Sequence, residues 1–281
     1  MMFIGDDELD RFIREDVPYG DLTTRCLGLP GQPAAIAFRA GAETVAACTE
    51  EAARLLARLG CMAKLGRASG AAVAAGELLL AAEGPAEAVF AGWKVAQTLM
   101  EFAGGMAGAA ARIVAAARRV RPDSVVACTR KSFPGTRAVA IKAITAGGAV
   151  PHRLGLSDTV LVFPEHRALL GAVSLTEAIG RIKTACPEKK VVVEVNGVEE
   201  ALAAAAAGAD VVQLEKFPPA AVAAVAERLA GSPVVVAAAG GINAANAADF
   251  AAAGARVLVT SAPYGAPPVD VKVTIGPVAA G

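Results

Sequence analysis

The chain has 281 residues, 55% of them hydrophobic and 19% charged, enough apolar surface for one large core or two modest ones and too much for a disordered polymer. Lys plus Arg and Asp plus Glu number 27 each. This balance argues against a general binder of nucleic acid or membrane surfaces, while leaving room for a local cationic pocket. Five cysteines, an odd count without a CxxC pair, point away from a disulfide framework or zinc site and suit a reducing cytoplasm. The opening residues Asp6, Asp7, Glu8 and Asp10 are acidic where a signal peptide needs basic ones. No stretch reaches the roughly 18 uninterrupted apolar residues of a membrane helix.

In chain order, Asp6 to Glu15 reads as a short helix, Ala34 to Arg39 as a strand and Glu43 to Leu59 as a longer amphipathic helix. Ala71, Val73 and Leu78 to Leu80 are further strand candidates. Gly92 to Val120 then reads as a long helix whose Gly104, Gly105 and Gly108 allow close backbone approach. Beyond residue 120 short β-branched runs recur: Val125–Cys128, Thr159–Val162, Val191–Val195, Val211–Leu214, Val234–Ala237 and Val257–Val259. Helical segments lie between them, among them Leu175 to Ala185, Val198 to Ala207 and Ala220 to Leu229. Continuous apolar strands alternating with helices predict a parallel sheet covered on its outside, an α/β barrel, complete or incomplete, with an open doubly wound sheet as the rival.

In such folds ligand chemistry gathers at the C-terminal strand tips. The runs end in Thr129-Arg130-Lys131, in Phe163-Pro164-Glu165-His166, in Glu194 with Asn196 beyond it, in Glu215-Lys216, in Ala239-Gly240-Gly241 and in Thr260-Ser261-Ala262. Arg130, Lys131, His152 and Arg153 supply cations for carboxylate or phosphate oxygens, and the plainer alternative is a solvated basic rim. Gly240, Gly241 and Ser261 resemble the glycine-and-hydroxyl cradle that late barrel loops offer a phosphate, where a simple turn is the alternative. Glu194 and Glu215 each end an apolar strand. They suit sugar hydroxyls, a magnesium ion or positive charge developing at an anomeric carbon, unless Lys131 or Lys216 merely neutralises them.

Several of these residues form a pattern. Thr129-Arg130-Lys131, Pro134-Gly135, Gly147-Gly148 and His152-Arg153-Leu154-Gly155-Leu156 resemble the signature of the nicotinate-nucleotide pyrophosphorylase (quinolinate phosphoribosyltransferase) family, and Asp16 to Thr24 resembles its N-terminal motif. The resemblance implies an N-terminal α/β sandwich domain, an incomplete parallel α/β barrel, and a homodimer whose subunits share active sites. It divides the chain into residues 1–110 and 111–265, with a tail, 266–281, that could return to the first domain. It also implies phosphoribosyl pyrophosphate as donor, a heteroaromatic acceptor and magnesium. By motif, Arg130, His152 and Arg153 would hold the acceptor, Lys131, Glu194 and Glu215 would surround the ribose and pyrophosphate, and Gly240, Gly241 and Ser261 would meet the 5′-phosphate.

The departures are systematic. The family's Glu-Arg on the long helix is Trp93-Lys94 here, so that Lys94 would take the Arg's place in the neighbouring site. The Lys after the second strand is Phe163, Leu-Asp-Asn is Leu214-Glu215-Lys216, and the Ser before Gly-Gly is Ala239. Together with Val259 to Tyr264 these resemble the ModD branch, associated with molybdate-transport operons. Exchanging a pocket Lys for Phe163 removes a charge and adds a stacking face, which predicts an acceptor less anionic than quinolinate. Two other readings stand beside it, a genuine quinolinate enzyme and a non-catalytic ligand-binding protein of molybdenum utilisation.

Overall fold

A computed structural model describes residues 2–278. The chain divides into two compact units. The first contains the residues up to Ala111, Phe133–Gly148 and those from Pro263 onward, and the second contains Arg112–Ser132 and Ala149–Ala262. Residues 1 and 279–281 of the ranges drawn from sequence lie outside the described part.

The first unit begins with α1 (Asp6–Asp16), whose first turn carries Asp6, Asp7 and Glu8 and whose last carries Arg14, charges that complement the helix dipole. Asp21 caps α2 (Leu22–Cys26) by accepting from the Thr23 N–H at 2.9 Å. Next come β1 (Pro33–Ala40), β2 (Thr44–Val45), α3 (Thr49–Arg58), β3 (Met62–Leu65), β4 (Ala72–Val73), β5 (Leu78–Pro85) and the 35-residue α4 (Ala86–Val120). An antiparallel sheet runs β13-β1-β5-β3, where β13 (Val271–Pro277) is the last strand of the chain. Phe38, Leu55, Leu56 and Leu80 are fully buried in one core cluster, each side chain contributing about 1.5–3 kcal/mol of transfer energy.

Among the boundaries that differ from the sequence reading, two change what an element packs or pairs with. The helix expected from Glu43 starts only at Thr49, because Thr44 and Val45 instead pair antiparallel with Val73 and Ala72, and Cys48 adopts a left-handed φ of 57° that breaks any helix there. The second difference is α5 (Arg137–Ala146), which the continuous 111–265 assignment gives to the barrel and which groups with the first unit. Its Val139 and Ala143 join Ile4, Leu9, Ala103 and Ala107 in a second apolar cluster. From the same helix Lys142, 4% exposed, reaches Glu51, 5% exposed, at 2.5 Å and Glu50 at 3.2 Å. The glycines of α4 do admit backbone: a Cβ on Gly105 would strike the Pro267 carbonyl, and one on Gly104 would lie 2.8 Å from Val269.

The second unit holds seven parallel strands: β6 (Val125–Cys128), β7 (Val150–Pro151), β8 (Val160–Val162), β9 (Val191–Val195), β10 (Val211–Glu215), β11 (Val235–Ala239) and β12 (Val257–Thr260). Helices α6 (Pro164–Ala168), α7 (Leu175–Ala185), α8 (Val198–Ala206), α9 (Pro219–Arg228) and α10 (Ala247–Ala252) follow the strands from β8 onward. Their order in the sheet is β7-β6-β12-β11-β10-β9-β8, so chain neighbours are sheet neighbours, β12 returns to β6, and the ring is open between β7 and β8. This cyclic order defines an incomplete barrel. A doubly wound sheet would reverse direction at a switch point. The most apolar window of α4 passes a length-and-composition test for a membrane span, but 56% of it is buried inside the protein, as in a core helix.

Candidate active site

The tips of β6 to β12 surround a cavity of about 890 Å³ within the second unit. Parallel register puts the tips level, with Glu215 beside Ala239, Val259 beside Ala127 and Thr260 beside Cys128. Arg130, Lys131, His152, Arg153, Phe163, Glu194, Glu215, Gly240, Gly241 and Ser261 all line it. Lys94 does not. It sits on α4 in the first unit, 4.7 Å above the Trp93 ring, with its Nζ donating to Gln97.

Both signs of charge line the rim. Arg130 and Arg153 lie on the side of β6 and β7, Glu194 and Glu215 at β9 and β10. Burial lowers the Arg153 pKa and the Arg130 charge adds to it, while burial and then Arg153 push His152 below its ordinary 6.5. On the acidic side burial raises the Glu194 carboxyl and the Glu215 charge raises it further, with a hydrogen bond from Gln213 acting against both. Among the described residues none of Arg130, Lys131, Arg153, Glu194, Glu215 or Lys216 forms an ion pair, so the salt bridges that offered a plainer account of the carboxylates are not made. Charged side chains that line a cavity without forming ion pairs mark a candidate ligand site.

Neighbouring contacts fix the walls. Arg167 donates to the Glu194 carbonyl at 3.1 Å and pairs with Glu200, whose other oxygen accepts the Asn196 N–H at 2.7 Å; this clamps the β9 tip. The Phe163 N–H donates to His166 Nδ1 at 3.0 Å, their rings stack at 5.6 Å, and the Arg153 guanidinium lies 5.6 Å from the Phe163 centroid. This gives a planar, partly cationic wall. Gly240 and Gly241 have φ of +90° and +73°, and a Cβ on Gly240 would meet Lys216 Cγ at 2.7 Å. Only glycine lets the backbone pass there. Thr260 Oγ1 ties the following turn by donating to the Ile242 carbonyl at 2.6 Å.

Magnesium can be weighed against this donor set. Among the described residues no group of three or more His, Cys, Asp or Glu side chains gathers into a metal cage. Glu194 and Glu215 still provide two mutually repelling carboxylates on adjacent strands, the number magnesium takes alongside phosphate oxygens and water. The residues fit an ion brought in with a phosphate ligand. Among the lining residues that sequence reasoning did not single out are the polar Gln213 and Asn243. Gln213 could have been found as the polar residue two before Glu215 in Val211–Glu215, on the same strand face.

A half-open ring of parallel strands with its anion-binding chemistry at the strand tips is the layout of a class of phosphoribosyltransferases. The chain belongs to the quinolinate phosphoribosyltransferase family: residues 21–103 match the quinolinate phosphoribosyl transferase N-terminal domain and residues 106–274 the C-terminal domain. It is similar to the ModD protein of Rhodobacter capsulatus, 58% identical over 225 residues covering 80% of this chain and 87% of that one. The ModD protein of Pasteurella multocida is 39% identical over 218 residues, 77% of each chain. Among solved structures, the nicotinate-nucleotide pyrophosphorylase of Francisella tularensis superposes with a TM-score of 0.90 over 98% of both chains at 20% identity, a likeness of fold.

Proposed function

We propose that the cavity transfers phosphoribose from phosphoribosyl pyrophosphate to a ring nitrogen of a planar heteroaromatic acceptor less anionic than quinolinate. One observation carries the choice of acceptor. With His152 neutral, four lining cations (Arg130, Lys131, Arg153, Lys216) face three lining carboxylates (Glu165, Glu194, Glu215). This chain's own lining thus offers one net positive charge, before a magnesium ion arriving with the donor or a partner's lysine is counted, against a donor already rich in phosphate. A second carboxylate on the acceptor would lie desolvated without a partner, and the Phe163 ring supplies stacking instead.

The C1–O bond to pyrophosphate breaks, with the electron pair leaving on pyrophosphate, and the acceptor nitrogen lone pair forms the C1–N bond. Glu194 and Glu215 stabilise the positive charge that develops at the anomeric carbon, and Lys131 meets the departing pyrophosphate. Arg130, His152 and Arg153 orient the acceptor against Phe163, and Gly240, Gly241 and Ser261 hold the 5′-phosphate. Glu194 and Glu215 would hold a magnesium ion, which would supply neutralisation of the pyrophosphate charge. Lys94, exposed on α4, is proposed to complete the cavity of a partner chain in a homodimer, and the five unpaired cysteines support a cytoplasmic setting. The test is pyrophosphate release from phosphoribosyl pyrophosphate across a panel of heteroaromatic acids and bases. Release with a monocarboxylate or neutral heterocycle, and little with quinolinate, is expected. Efficient release with quinolinate alone overturns the acceptor assignment and favours the carboxylating enzyme.

A further inference from the structure

The middle of β10 holds a residue whose polarity the fold does not need. Gln213 is 4% exposed and lies between Val212 and Leu214, both fully buried. Its strand position puts it on the same face as Glu215, and parallel pairing sets it beside Glu194 on β9 and Ala237 on β11. Ala237, Ala239 and Val259 form an apolar cluster on the next strands, so an apolar side chain at 213 would suit its surroundings. Gln213 instead lines the cavity. Its Nε2 donates to Glu194 Oε2 at 2.7 Å, and its Oε1 is buried with no hydrogen-bond partner. A shielded amide oxygen without a donor is unfavourable in the free protein and turns favourable once a donor group reaches the cavity floor.

We infer that Gln213 is a positioning and specificity residue that, together with Glu194, reads the vicinal hydroxyls of the bound pentose. Its Nε2 fixes the Glu194 carboxylate, so that Glu194 Oε1 accepts from one hydroxyl and Gln213 Oε1 accepts from the next. This rests on the phosphoribosyl donor proposed above. The chemistry selects the pentose over the other ligand parts. Phosphates, carboxylates and the attacking ring nitrogen are acceptors that two floor oxygens would repel, whereas adjacent hydroxyls donate in pairs. Strand neighbours stand about 4.8 Å apart, which brings the two side-chain oxygens within reach of adjacent carbons of one sugar.

The test is calorimetry on the full chain with ribose 5-phosphate and 2-deoxyribose 5-phosphate, in the presence of a chelator. The wild type is expected to bind the ribose compound about tenfold more tightly, the worth of one hydrogen bond to a buried acceptor. Gln213→Met should reduce this preference to under about twofold while leaving affinity for inorganic phosphate unchanged, since the phosphate cradle lies on other loops. A variant that keeps the preference overturns the inference, as does a wild type that binds both sugars equally, a result that needs no variant to fold. A preference that emerges only when magnesium is added also overturns it, because the hydroxyls would then be read by the ion. If neither sugar phosphate binds, the phosphoribosyl reading itself falls. If both bind alike, only the role of Gln213 does.

Discussion

Lys142→Met should destabilise the first unit far more than the loss of a surface lysine. Lys142 is 4% exposed and Glu51 is 5% exposed, with their charged atoms 2.5 Å apart, so neither charge is solvated by water in the folded state. Removing the lysine leaves Glu51 buried without a counter-charge, a change that costs about 3–5 kcal/mol, against about 0–1 kcal/mol for an exposed pair. Glu50 loses a helper as well. Burial pushes its carboxyl upward, but the Ser69 hydroxyl and N–H, assisted by Lys142, hold it at about 2. The Glu50 pKa is depressed from 4.5, so its contribution is complete above 4.5 and lost as pH falls toward 2. Urea unfolding followed by circular dichroism at pH 7 and at pH 4 measures both effects. The double variant Glu51→Met/Lys142→Met should recover to within about 1 kcal/mol of wild type, since apolar side chains of similar length replace a buried pair at little cost. A single variant that loses under about 1 kcal/mol, or a double variant no better than the single, refutes the reasoning.

At the strand tips, Glu194→Ala should keep the fold and lower turnover by about a hundredfold or more, and an unchanged rate removes Glu194 from the chemistry. Phe163→Lys restores a pocket cation and should tighten quinolinate binding about tenfold to a hundredfold by calorimetry; no gain refutes the charge argument for the acceptor. Gly240→Ala drives a methyl to 2.7 Å from Lys216 Cγ at a φ of +90°, so KM for phosphoribosyl pyrophosphate should rise and Tm fall, and a variant matching wild type in both contradicts the close approach. His152, lowered from 6.5 by burial and Arg153, should titrate below 6.5 in an NMR pH series. The unfolded chain takes up that proton first, so this contribution to stability is present above 6.5 and lost as pH falls, and a midpoint at or above 6.5 refutes it.

Much of the barrel was legible because its strands are buried on both faces and read as unbroken apolar runs. Val125–Cys128 and Val191–Val195 coincide with β6 and β9 to the residue. The two-residue β7 carries no periodic signal, and Pro151 masks it further. The attachment of α5 was hidden for another reason: it depends on Lys142 meeting Glu50 and Glu51 some 90 positions earlier in the chain, and a long-range ion pair leaves no local pattern. At the site, charged residues at or just past the ends of β6, β8, β9 and β10 could be read from position alone. Gln213 left a fainter trace: it sits between Val212 and Leu214, its two-residue spacing from Glu215 hints at the shared face, and pairing with β9 shows that it meets Glu194.

The break in the ring has a bearing on solubility. Its two terminal strands, β7 and β8, are the shortest of the seven, with two and three residues. So little unpaired backbone offers no template on which a neighbouring chain could extend the sheet, in a molecule more than half of whose residues are hydrophobic. Association by extension of this barrel sheet is thereby discouraged, and a mutation that lengthened either of its terminal strands would invite such growth long before it weakened the core.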